Sequence, residues 1–561
     1  MISGQIKKNT NLVPPIIATG ISKFAYNSQS GVSVAFLGTL VSHRDLTLRY
    51  DTQNHAEIVL QHYLKKGTKS FVDLEGSYSF AIYDARDQKL ILTRDRIGTK
   101  NIFYCIDDET FTFASTLRQL FVDYGIKAKL DKLGLNQMLL LGPARPSDSG
   151  IYKNISTIKA GHFVEYVDGR IKEHNYYNLC SKEWNMSVND TIDYARNIIT
   201  TRTNEYLDTD KPYACFLSGG IDSSILSYIA KNDNNLTTPL VTISVDYKDS
   251  DTDFVPNSFQ PEHDRDYIAI MKDFLNSKHF DIVLDNQTLA KSIVDAAVFR
   301  GLPGMADIDS SLLLLCQHTK ESFDIAVSGE CADEIFGGYP WYHDNTIRNH
   351  KGFPWSRDLG IRTDVFDIDS NVASHFVDEY YQSTINSVSH IRGEDDLDKR
   401  IRELFVLNLN WFGASLLERK EMMSGAAGLQ VQMPFTDHHL VEFAYNLPWN
   451  LKSLNGREKG IMRQAFKGLL PQKIIDRKKS PYPKSFSPIY FNFVKERVTE
   501  ILDSNSHASI LLNKSNLTKL MTADPMSMQP WYGQLMRLPQ LLGYIVQLDT
   551  ILREFNVEIV E

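Results

Sequence analysis

The sequence has few cysteines and no long apolar run. Only five cysteines occur in 561 residues, and no two of them stand in a C-x-x-C spacing. Such scattered thiols argue against a disulfide framework or a zinc site and are typical of a reducing compartment. No apolar segment reaches the length of a membrane span, and the first residues, "MISGQIKKNT", lack the apolar centre of a signal peptide. We therefore expect a cytoplasmic protein without membrane contact.

An excess of positive charge is also missing. The formal net charge is -9, and no basic stripe is interleaved with aromatic residues. This balance argues against a nucleic-acid partner. What is present is an ordinary globular composition, 42% hydrophobic and 23% charged, in a chain too long for a single compact domain.

The chain shows two different sequence patterns. From about residue 15 to residue 180, short alternating segments such as "VSVAFLGTLV" are joined by Asp, Asn and Gly turns, a pattern typical of antiparallel sheets. Further on, apolar runs such as "YACFL" and "FDIAVSG" alternate with helical stretches, which predicts a parallel sheet covered by helices. The chain beyond about residue 340 is mainly helical in pattern. The sequence thus predicts an α/β protein with domains at residues 1–185 and 190–561.

The segment "FLSGGIDSS", residues 216–224, lies between an apolar run and a helical pattern. Gly219 and Gly220 allow a sharp turn and a close approach to a phosphate, and a helix N-terminus attracts anions. Asp222 would repel a bare phosphate, so it predicts Mg²⁺ between carboxylate and phosphate oxygens. The alternative is a glycine-rich connection with Asp222 as a helix cap. A Walker A loop is excluded, because its lysine and spacing are absent.

A second segment, "AVSGECADEIFGGY" at residues 326–339, also follows an apolar run and also begins with Ser-Gly. Its carboxylates are Glu330, Asp333 and Glu334. Loops that follow parallel strands meet at the carboxyl edge of the sheet, where open α/β sheets bind ligands. We expect Asp222 and Asp333 to share Mg²⁺ bound to pyrophosphate, which leaves Glu330 for proton transfer.

Four stretches together, "SGGIDSS", "SGECADEIFGGY", "MPFTDHHLVEFA" and "GREKGIMRQAFKGLLP", resemble the asparagine synthetase family. The stretches "LEGSYSFAIYDAR" and "DRIGTKNIFY" resemble the glutaminase domain of that family. The resemblance covers nearly the whole chain. It implies a degenerate, truncated N-terminal αββα sandwich of the Ntn-hydrolase type. It also implies a C-terminal doubly wound parallel sheet of the PP-loop type with a helical C-terminal part.

The resemblance implies that ATP and Mg²⁺ are cofactors, that a substrate carboxylate forms an acyl-adenylate, and that an amine then displaces AMP. Asp222 and Asp333 become the Mg²⁺ ligands and Glu330 the general acid or base. Lys459, in "GREKG", becomes the cation that neutralises the tetrahedral intermediate. Without the surrounding motif, the same lysine would be interpreted as a solvent-exposed charge on a helix. The residues implied in nucleotide binding are Leu217, Ser218, Gly219, Gly220, Asp222, Ser223, Ser224, Val245, Ser328 and Gly329.

The N-terminal half departs from the family pattern. The family glutaminase uses a cysteine directly after the initiator Met, whereas this sequence begins Met1-Ile2-Ser3-Gly4 and its first cysteine is Cys105. The Asn-Gly-Glu motif of the family reads Leu37-Gly38-Thr39. We therefore expect that glutamine hydrolysis is lost and that this half is a structural remnant or a docking surface.

The synthetase half departs at two positions of the stretch "GLQVQMPF", where Gln430 replaces an acid and Gln432 an arginine. An amide in place of arginine removes a bidentate carboxylate clamp, so we expect a substrate pocket that no longer suits free aspartate. Alternatively, the two lost charges formed only a structural pair, and their joint replacement is neutral. Asp307 and Asp309 are candidates for substrate or metal binding, or simply cap the helix that follows them.

The first functional expectation is an ATP-dependent amide ligase that takes its amine or ammonia from solution, without glutamine. Relatives of this kind, such as the β-lactam synthetases and lasso-peptide cyclases, close rings or amidate peptides and natural products, which implies a role in specialised peptide or natural-product biosynthesis. The second is an asparagine synthetase confined to ammonia, and the third a non-catalytic partner-binding remnant. The expected partners are a small-molecule or peptide carboxylate and an amine, with a peptide or carrier partner and a homodimer left open.

Overall fold

The computed structural model describes residues 1–7, 16–41, 44–107, 110–209, 211–233, 239–250, 262–483, 485, 487–525 and 528–561. Its strands form two antiparallel sheets, one five-stranded parallel sheet and one short pair. The strands are β1 Ile2–Lys7, β2 Ile16–Ala18, β3 Lys23–Asn27, β4 Val32–Val41, β5 Glu75–Asp84, β6 Lys89–Arg94, β7 Phe103–Asp107, β8 Thr110–Ala114, β9 Lys129–Leu130, β10 Ile155–Thr157, β11 His162–Val167, β12 Arg170–Asn175, β13 Tyr213–Phe216, β14 Val241–Tyr247, β15 Lys278–Leu284, β16 Ile325–Val327, β17 Gln430–Gln432 and β18 Glu558–Ile559.

Helices connect the parallel strands and fill the C-terminal half. No helix formed by the described residues is both long and apolar enough to cross a membrane. The helices are Arg44–Tyr50, His55–Lys66, Lys132–Leu141, Val188–Leu207, Ile221–Lys231, Asp264–Leu275, Asn286–Arg300, Asp307–Lys320, Ala332–Phe336, Pro340–His343, Asn345–Arg348, Gly360–Phe366, Ser370–Asn386, Asp396–Leu407, Gly413–Ala427, His438–Asn446, Trp449–Lys452, Gly460–Ala465, Gln472–Asp476, Pro488–Asp503, His507–Ile510, Lys514–Leu520 and Leu538–Glu554.

The N-terminal part is a four-layer sandwich. One sheet has the order β10-β7-β8-β1-β2, the other β12-β11-β6-β5-β4-β3, and both contribute side chains to one apolar interior. The helix His55–Lys66 packs on the outer face of the second sheet, and the helix Lys132–Leu141 packs on the outer face of the first. The predicted αββα sandwich is therefore confirmed.

Strand β4 shows why its sequence is apolar at nearly every position. Val34 and Phe36 pack with the outer helix layer, whereas Ala35 and Leu37 pack in the interior between the sheets. Successive side chains of a strand point to opposite faces, so a strand covered on both faces must be apolar on both.

The C-terminal part contains a doubly wound sheet with the order β15-β14-β13-β16-β17, in which every pair is parallel. The strand order reverses at β13, and the next strand on that side is β16. In open α/β sheets, ligands bind at such a reversal, beyond the carboxyl ends of the two strands. The predicted fold class is confirmed, and the loops after β13 and β16 emerge side by side.

The two parts share one apolar core. The helix Lys132–Leu141 of the sandwich and the helices Asn286–Arg300 and Leu538–Glu554 contribute to the same buried cluster. In addition, strand β18 at residues 558–559 pairs in parallel with β9. The sandwich is thus packed directly onto the C-terminal helices, and the division at residues 185 and 190 remains a prediction.

Gly543 lies at a tight crossing in the helix Leu538–Glu554, where an added Cβ would lie 2.7 Å from the Ala306 Cβ. We expect Gly543→Ala to lower the free energy of unfolding by about 1–3 kcal/mol, because overpacking forces neighbours apart. Urea denaturation measures the change. Gly425→Ala is the control: nothing lies within 4 Å of its Cβ position, so stability should rise by up to about 1 kcal/mol. An unchanged free energy of unfolding in Gly543→Ala would contradict the close crossing.

Candidate active site

The loop after β13 forms an anion-binding geometry. Gly219 has φ of +69°, and an added Cβ would lie 2.6 Å from the Tyr267 Cβ, so no other residue fits this turn. The helix Ile221–Lys231 then begins at Gly220 without a side-chain cap. The N–H groups of a first helical turn have no partner within the helix, and they favour an anion.

The loop after β16 packs against this helix N-terminus. An added Cβ on Gly329 would lie 3.0 Å from the Asp222 Cβ and 3.2 Å from the Ser223 backbone nitrogen. Only a glycine lets the two loops approach this closely. The structure therefore brings together the two Ser-Gly segments.

A partly buried ion cluster lies at the meeting point of the loops. The Lys459 Nζ contacts the Asp222 carboxylate and lies 2.6 Å from Asp333 Oδ1. The Lys479 Nζ lies 2.6 Å from Asp333 Oδ2. The Lys459 side chain is only 1% exposed, and its backbone φ is +55°. Gly338 leaves room for it, because a Cβ there would lie 2.5 Å from the Lys459 Cε.

Two carboxylates of the cluster are candidates for holding Mg²⁺. Burial raises the pKa of Asp222 despite the Lys459 ammonium, whereas the two lysines outweigh burial and lower the pKa of Asp333. Within the described residues, the buried Asp222 Oδ1 has no hydrogen-bond partner. Carboxylate oxygens are the ligands that Mg²⁺ prefers, so the Asp222 and Asp333 carboxylates fit the ion.

Glu330 lies beside the cluster, between two cations. Its Oε1 lies 3.6 Å from Arg419 Nη2 and its Oε2 lies 3.2 Å from Lys420 Nζ. Burial alone would raise the pKa of Glu330, but Lys420 and Arg419 hold it below its ordinary value. Glu330 is therefore ionised at neutral pH and is able to accept a proton.

Glu334 differs from its neighbour. It is buried, accepts a hydrogen bond of 2.5 Å from the Tyr339 hydroxyl, and has no cation within ion-pair distance among the described residues. Burial, with the nearby Asp333 and Glu330 charges, raises its pKa to about 8. Two carboxyl groups four residues apart are thus held in opposite protonation states at neutral pH.

These groups line one cavity of about 210 Å³. The lining combines the two loops and the charged groups with apolar and aromatic residues. Ten of the predicted residues line it: Leu217, Ser218, Gly220, Asp222, Ser223, Val245, Ser328, Gly329, Glu330 and Asp333. The apolar and aromatic lining residues include Met305, Tyr339, Phe412, Leu416, Tyr482 and Leu535.

Three predicted residues lie just behind the lining. Gly219 forms the turn, Ser224 is buried in the helix below it, and Lys459 reaches the cavity through its contacts with Asp222 and Asp333. Ser224 is fully buried and its hydroxyl has no hydrogen-bond partner among the described residues, so its role in nucleotide binding stays a prediction.

Asp307 and Asp309 do not line the cavity. Asp307 accepts hydrogen bonds from the Ser485 backbone nitrogen at 3.2 Å and from Gln540 at 3.1 Å. Asp309 accepts from the Met305 backbone nitrogen at 3.1 Å and lies 3.5 Å from the Arg300 guanidinium. Both carboxylates hold segments of the chain together. The N-cap of the helix Asp307–Lys320 is Ala306, without a side-chain cap, so neither acid is that cap, and their role in substrate or metal binding stays a prediction.

Gln430 and Gln432 also lie apart from this cavity, contrary to their predicted place in the substrate pocket. Both amides donate hydrogen bonds to the Thr39 hydroxyl of the sandwich, Gln432 at 3.0 Å. They line a second cavity of about 890 Å³ between the sandwich and the parallel-sheet part. The physical reason is the position of β17, the edge strand that faces the sandwich.

Four cations at the site were missed by the sequence analysis: Lys479, Arg477, Arg419 and Lys420. Lys479 lies in "RKKSP", next to the exposed Lys478, and nothing local distinguishes the two. Arg419 and Lys420 lie in "LLERKEMM", where four charges interrupt an apolar helix pattern. Consecutive charges inside an otherwise apolar helix are the signal that could have marked buried ion pairs.

Comparison with known proteins agrees with this geometry. The family model described as asparagine synthase matches residues 196–552, and the glutamine amidotransferase domain model matches residues 27–177. The chain belongs to the asparagine synthase family. The resemblance carried by the sequence motifs is confirmed, and the matched residues 27–177 are called the amidotransferase-like domain below.

Full-length relatives share both parts. The chain is 35% identical over 544 residues to asparagine synthetase [glutamine-hydrolyzing] 3 of Bacillus subtilis (strain 168), covering 94% of this chain and 88% of the relative. Identity is 22% to amidase chry2 of Gibberella zeae, with coverage of 82% and 78%. It is 20% to human asparagine synthetase [glutamine-hydrolyzing], with coverage of 84% and 75%.

As a member of the asparagine synthase family, the protein is an asparagine synthetase-like, ATP-dependent carbon–nitrogen ligase. ATP is the nucleotide of this family, and the glycine turn and open helix N-terminus described above suit its phosphates.

Lys479 is expected to contact nucleotide phosphates, because it lines the cavity beside Asp333. We expect Lys479→Met to weaken the binding of MgATP by about 10–100-fold, the range for losing a hydrogen bond to a charged group. Isothermal titration calorimetry measures the affinity. The adjacent, exposed Lys478 provides the matched control, since Lys478→Met should leave the affinity unchanged. Equal affinities for both variants would remove Lys479 from the phosphate site.

Glu334 should make the stability of the protein depend on pH. In the folded protein its pKa is raised from 4.5 to about 8, so unfolding releases a proton between these two values. The free energy of unfolding therefore falls as pH rises through this window. The variant Glu334→Gln keeps an oxygen acceptor for Tyr339 but cannot ionise. We expect the melting temperature of the variant, relative to that of the wild type, to rise from pH 5 to pH 8. Parallel melting curves across this range would contradict the raised pKa.

Proposed function

We propose that this ligase adenylates a carboxylate other than free aspartate and couples it to an amine or ammonia without hydrolysing glutamine. The observation that carries the proposal is the partly buried cluster of Asp222, Asp333, Lys459 and Lys479 at an open helix N-terminus, with Glu330 beside it. These groups suit phosphate binding on one side and proton transfer on the other.

In the proposed reaction, an oxygen of the substrate carboxylate attacks the α-phosphorus of ATP, and the bond to pyrophosphate breaks. The N–H groups after Gly220 and the Lys479 ammonium hold the departing pyrophosphate. Asp222 and Asp333 would hold Mg²⁺, which neutralises charge on the phosphates when it is bound. Ser218 and Ser223 offer hydroxyl donors at the same loop.

In the second step, the amine nitrogen attacks the acyl carbon and the carbon–oxygen bond to AMP breaks. Glu330 accepts the proton that the attacking nitrogen loses, because Lys420 and Arg419 keep it ionised. Lys459 stabilises negative charge on the tetrahedral intermediate, and the loss of such a preorganised charge typically costs about 10²–10³ in rate.

The apolar lining residues of the cavity support an acid with an apolar body. Free aspartate carries two carboxylates and an ammonium, and each needs a charged or polar partner when it leaves water. Tyr339, Phe412, Leu416 and Tyr482 contribute carbon surface to a lining that also holds the cations Arg419 and Lys420. A carboxylate carried by a peptide, a carrier-bound group or a specialised natural product suits this carbon surface better than free aspartate does.

The second cavity supports an amine supply that does not depend on glutamine. None of the five cysteines, all of which lie among the described residues, lines it. Cys105 is a core residue of β7, and burial raises the pKa of its thiol to about 11, which leaves it unreactive at neutral pH. Thr39, which stands where the family motif Asn-Gly-Glu has its glutamate, accepts hydrogen bonds through its hydroxyl from the Gln430 and Gln432 amides.

An ammonia-dependent asparagine synthetase is the second candidate. It is favoured by the 35% identity with a Bacillus subtilis protein named as a glutamine-hydrolysing asparagine synthetase. The intact charged groups of the cavity suit either acid, so the choice between the candidates depends on the apolar lining residues. For both candidates we propose a cytoplasmic enzyme, and the oligomeric state, including a homodimer, is open to direct measurement.

A panel of acids tests the proposal. The purified protein is given MgATP and ammonium with either aspartate or short peptides that carry Asp or Glu between apolar residues. We expect pyrophosphate, AMP and an amide product, identified by mass spectrometry, from at least one peptide and not from aspartate. Glutamine in place of ammonium should give no product.

Lys459→Met is the control for chemistry at this site and should lower the rate of amide formation by about 10²–10³. Asparagine formed from aspartate and ammonium would establish the second candidate in place of the first. Asparagine formed with glutamine as the only nitrogen source would show that the amidotransferase-like domain is active.

A further inference from the structure

Four consecutive charged residues are buried in the helix Gly413–Ala427. Glu418, Arg419, Lys420 and Glu421 are each between 3% and 7% exposed. In a helix, residues three apart lie on one face, so Glu418 and Glu421 point the same way. The two cations between them lie on a different face.

The two glutamates pair with the amidotransferase-like domain. Arg145 Nε lies 3.1 Å from Glu418 Oε2, and the Lys100 Nζ forms a close ion pair with the Glu421 carboxylate. All four side chains are less than 10% exposed. Separating a buried ion pair is strongly unfavourable, because each partner left alone would be an uncompensated charge in the interior. Each pair therefore fixes where its two side chains lie.

The two cations face the candidate active site. Each binds a different oxygen of Glu330, with Arg419 Nη2 at 3.6 Å from Oε1 and Lys420 Nζ at 3.2 Å from Oε2. Arg419 also lies over the Tyr482 ring, 5.3 Å from its centroid, and Lys420 lies 5.6 Å from the centroid of Phe216. The rotation of this one helix therefore decides whether both cations reach Glu330.

Lys100 is itself held firmly. It ends the loop "DRIGTK", in which the Asp95 carboxylate accepts hydrogen bonds of 2.8–3.2 Å from the backbone N–H groups of residues 97–100. The Thr99 hydroxyl adds a further bond to Asp95 at 2.6 Å. A carboxylate that gathers so many donors fixes the backbone of the loop and hence the starting point of the lysine side chain.

Arg145 is fixed in a comparable way. Its guanidinium donates a hydrogen bond of 2.6 Å to the Ser149 carbonyl and lies over the Phe103 ring, 5.1 Å from the centroid. Both cations that meet the helix thus come from rigid parts of the sandwich.

We infer that Lys100 and Arg145 are positioning residues for the ligase site. Through Glu421 and Glu418 they set the rotation of the helix Gly413–Ala427, and this rotation holds Arg419 and Lys420 on the two oxygens of Glu330. The amidotransferase-like domain therefore takes part in building the ligase site, whatever its own chemistry. The catalytic meaning of this placement rests on the role of Glu330 in the proposed function.

Zero-length crosslinking tests the placement without knowledge of the substrate. A water-soluble carbodiimide activates a carboxyl group, and an amine in contact with it forms an amide that mass spectrometry locates. In the wild type we expect a Glu330–Lys420 crosslink. The Asp333–Lys479 crosslink in the same cavity, where the atoms lie 2.6 Å apart, serves as the internal reference for reagent access.

In Lys100→Met, the ratio of the Glu330–Lys420 crosslink to the reference should fall by about tenfold, because a reaction between adjacent groups is lost when they shift by about 1 Å. Lys100→Arg should keep the ratio, and the exchange of charges in Lys100→Glu with Glu421→Lys should restore it. The double variant Lys100→Met, Glu421→Gln buries no unpaired charge and gives a second, folded test. An unchanged ratio in both Met variants would overturn the inference.

Two controls separate this result from others. Glu75→Gln removes a partner of Arg202 at the same interface without touching the helix, and it should leave the ratio unchanged. Lys420→Arg should abolish the crosslink, which identifies the amine. A lost crosslink together with an unsuccessful acid panel would support the positioning role and refute only the proposed substrate class.

Discussion

The structure depends on the need to balance charges that have been removed from water. Strands β13 and β16 are neighbours in the parallel sheet, so their loops place Asp222, Asp333 and Glu330 within one small cavity. Three carboxylates this close would repel one another strongly in a low-dielectric interior. They are tolerated because four cations, Lys459, Lys479, Arg419 and Lys420, reach them from distant parts of the chain.

This requirement explains why the sandwich and the parallel-sheet part are packed so closely. Two of the four cations lie on the helix Gly413–Ala427, and two acids of the same helix form ion pairs with the sandwich. Residues of the sandwich also enter the core of the C-terminal helices, and β18 returns to pair with β9. The two parts therefore behave as one packed body around a shared set of ion pairs.

The fold and the two loops could be predicted from the sequence, because each rests on local patterns: an apolar strand, a Ser-Gly turn and a helix start. The cations that complete the site could not, since Lys100 and Glu421, for example, are separated by 321 positions in the chain. Gln430 and Gln432 were misplaced for a related reason. Alternate residues of β17 share one side, and the docking of the sandwich decides what that side faces.

The near balance of charge in the cavity also bears on how a nucleotide arrives. Five cations (Lys459, Lys479, Arg419, Lys420 and Arg477) against four carboxylates (Asp222, Asp333, Glu330 and Asp264) leave only a slight positive excess, and Glu334 with its raised pKa adds no full negative charge at neutral pH. Long-range attraction of an anion depends on net field and not on the number of charges. The cavity itself therefore adds little long-range attraction for MgATP, and the field that this anion meets at a distance is set by the net charge of -9 over the whole chain. Salt screens that repulsion, so the encounter rate should rise with ionic strength.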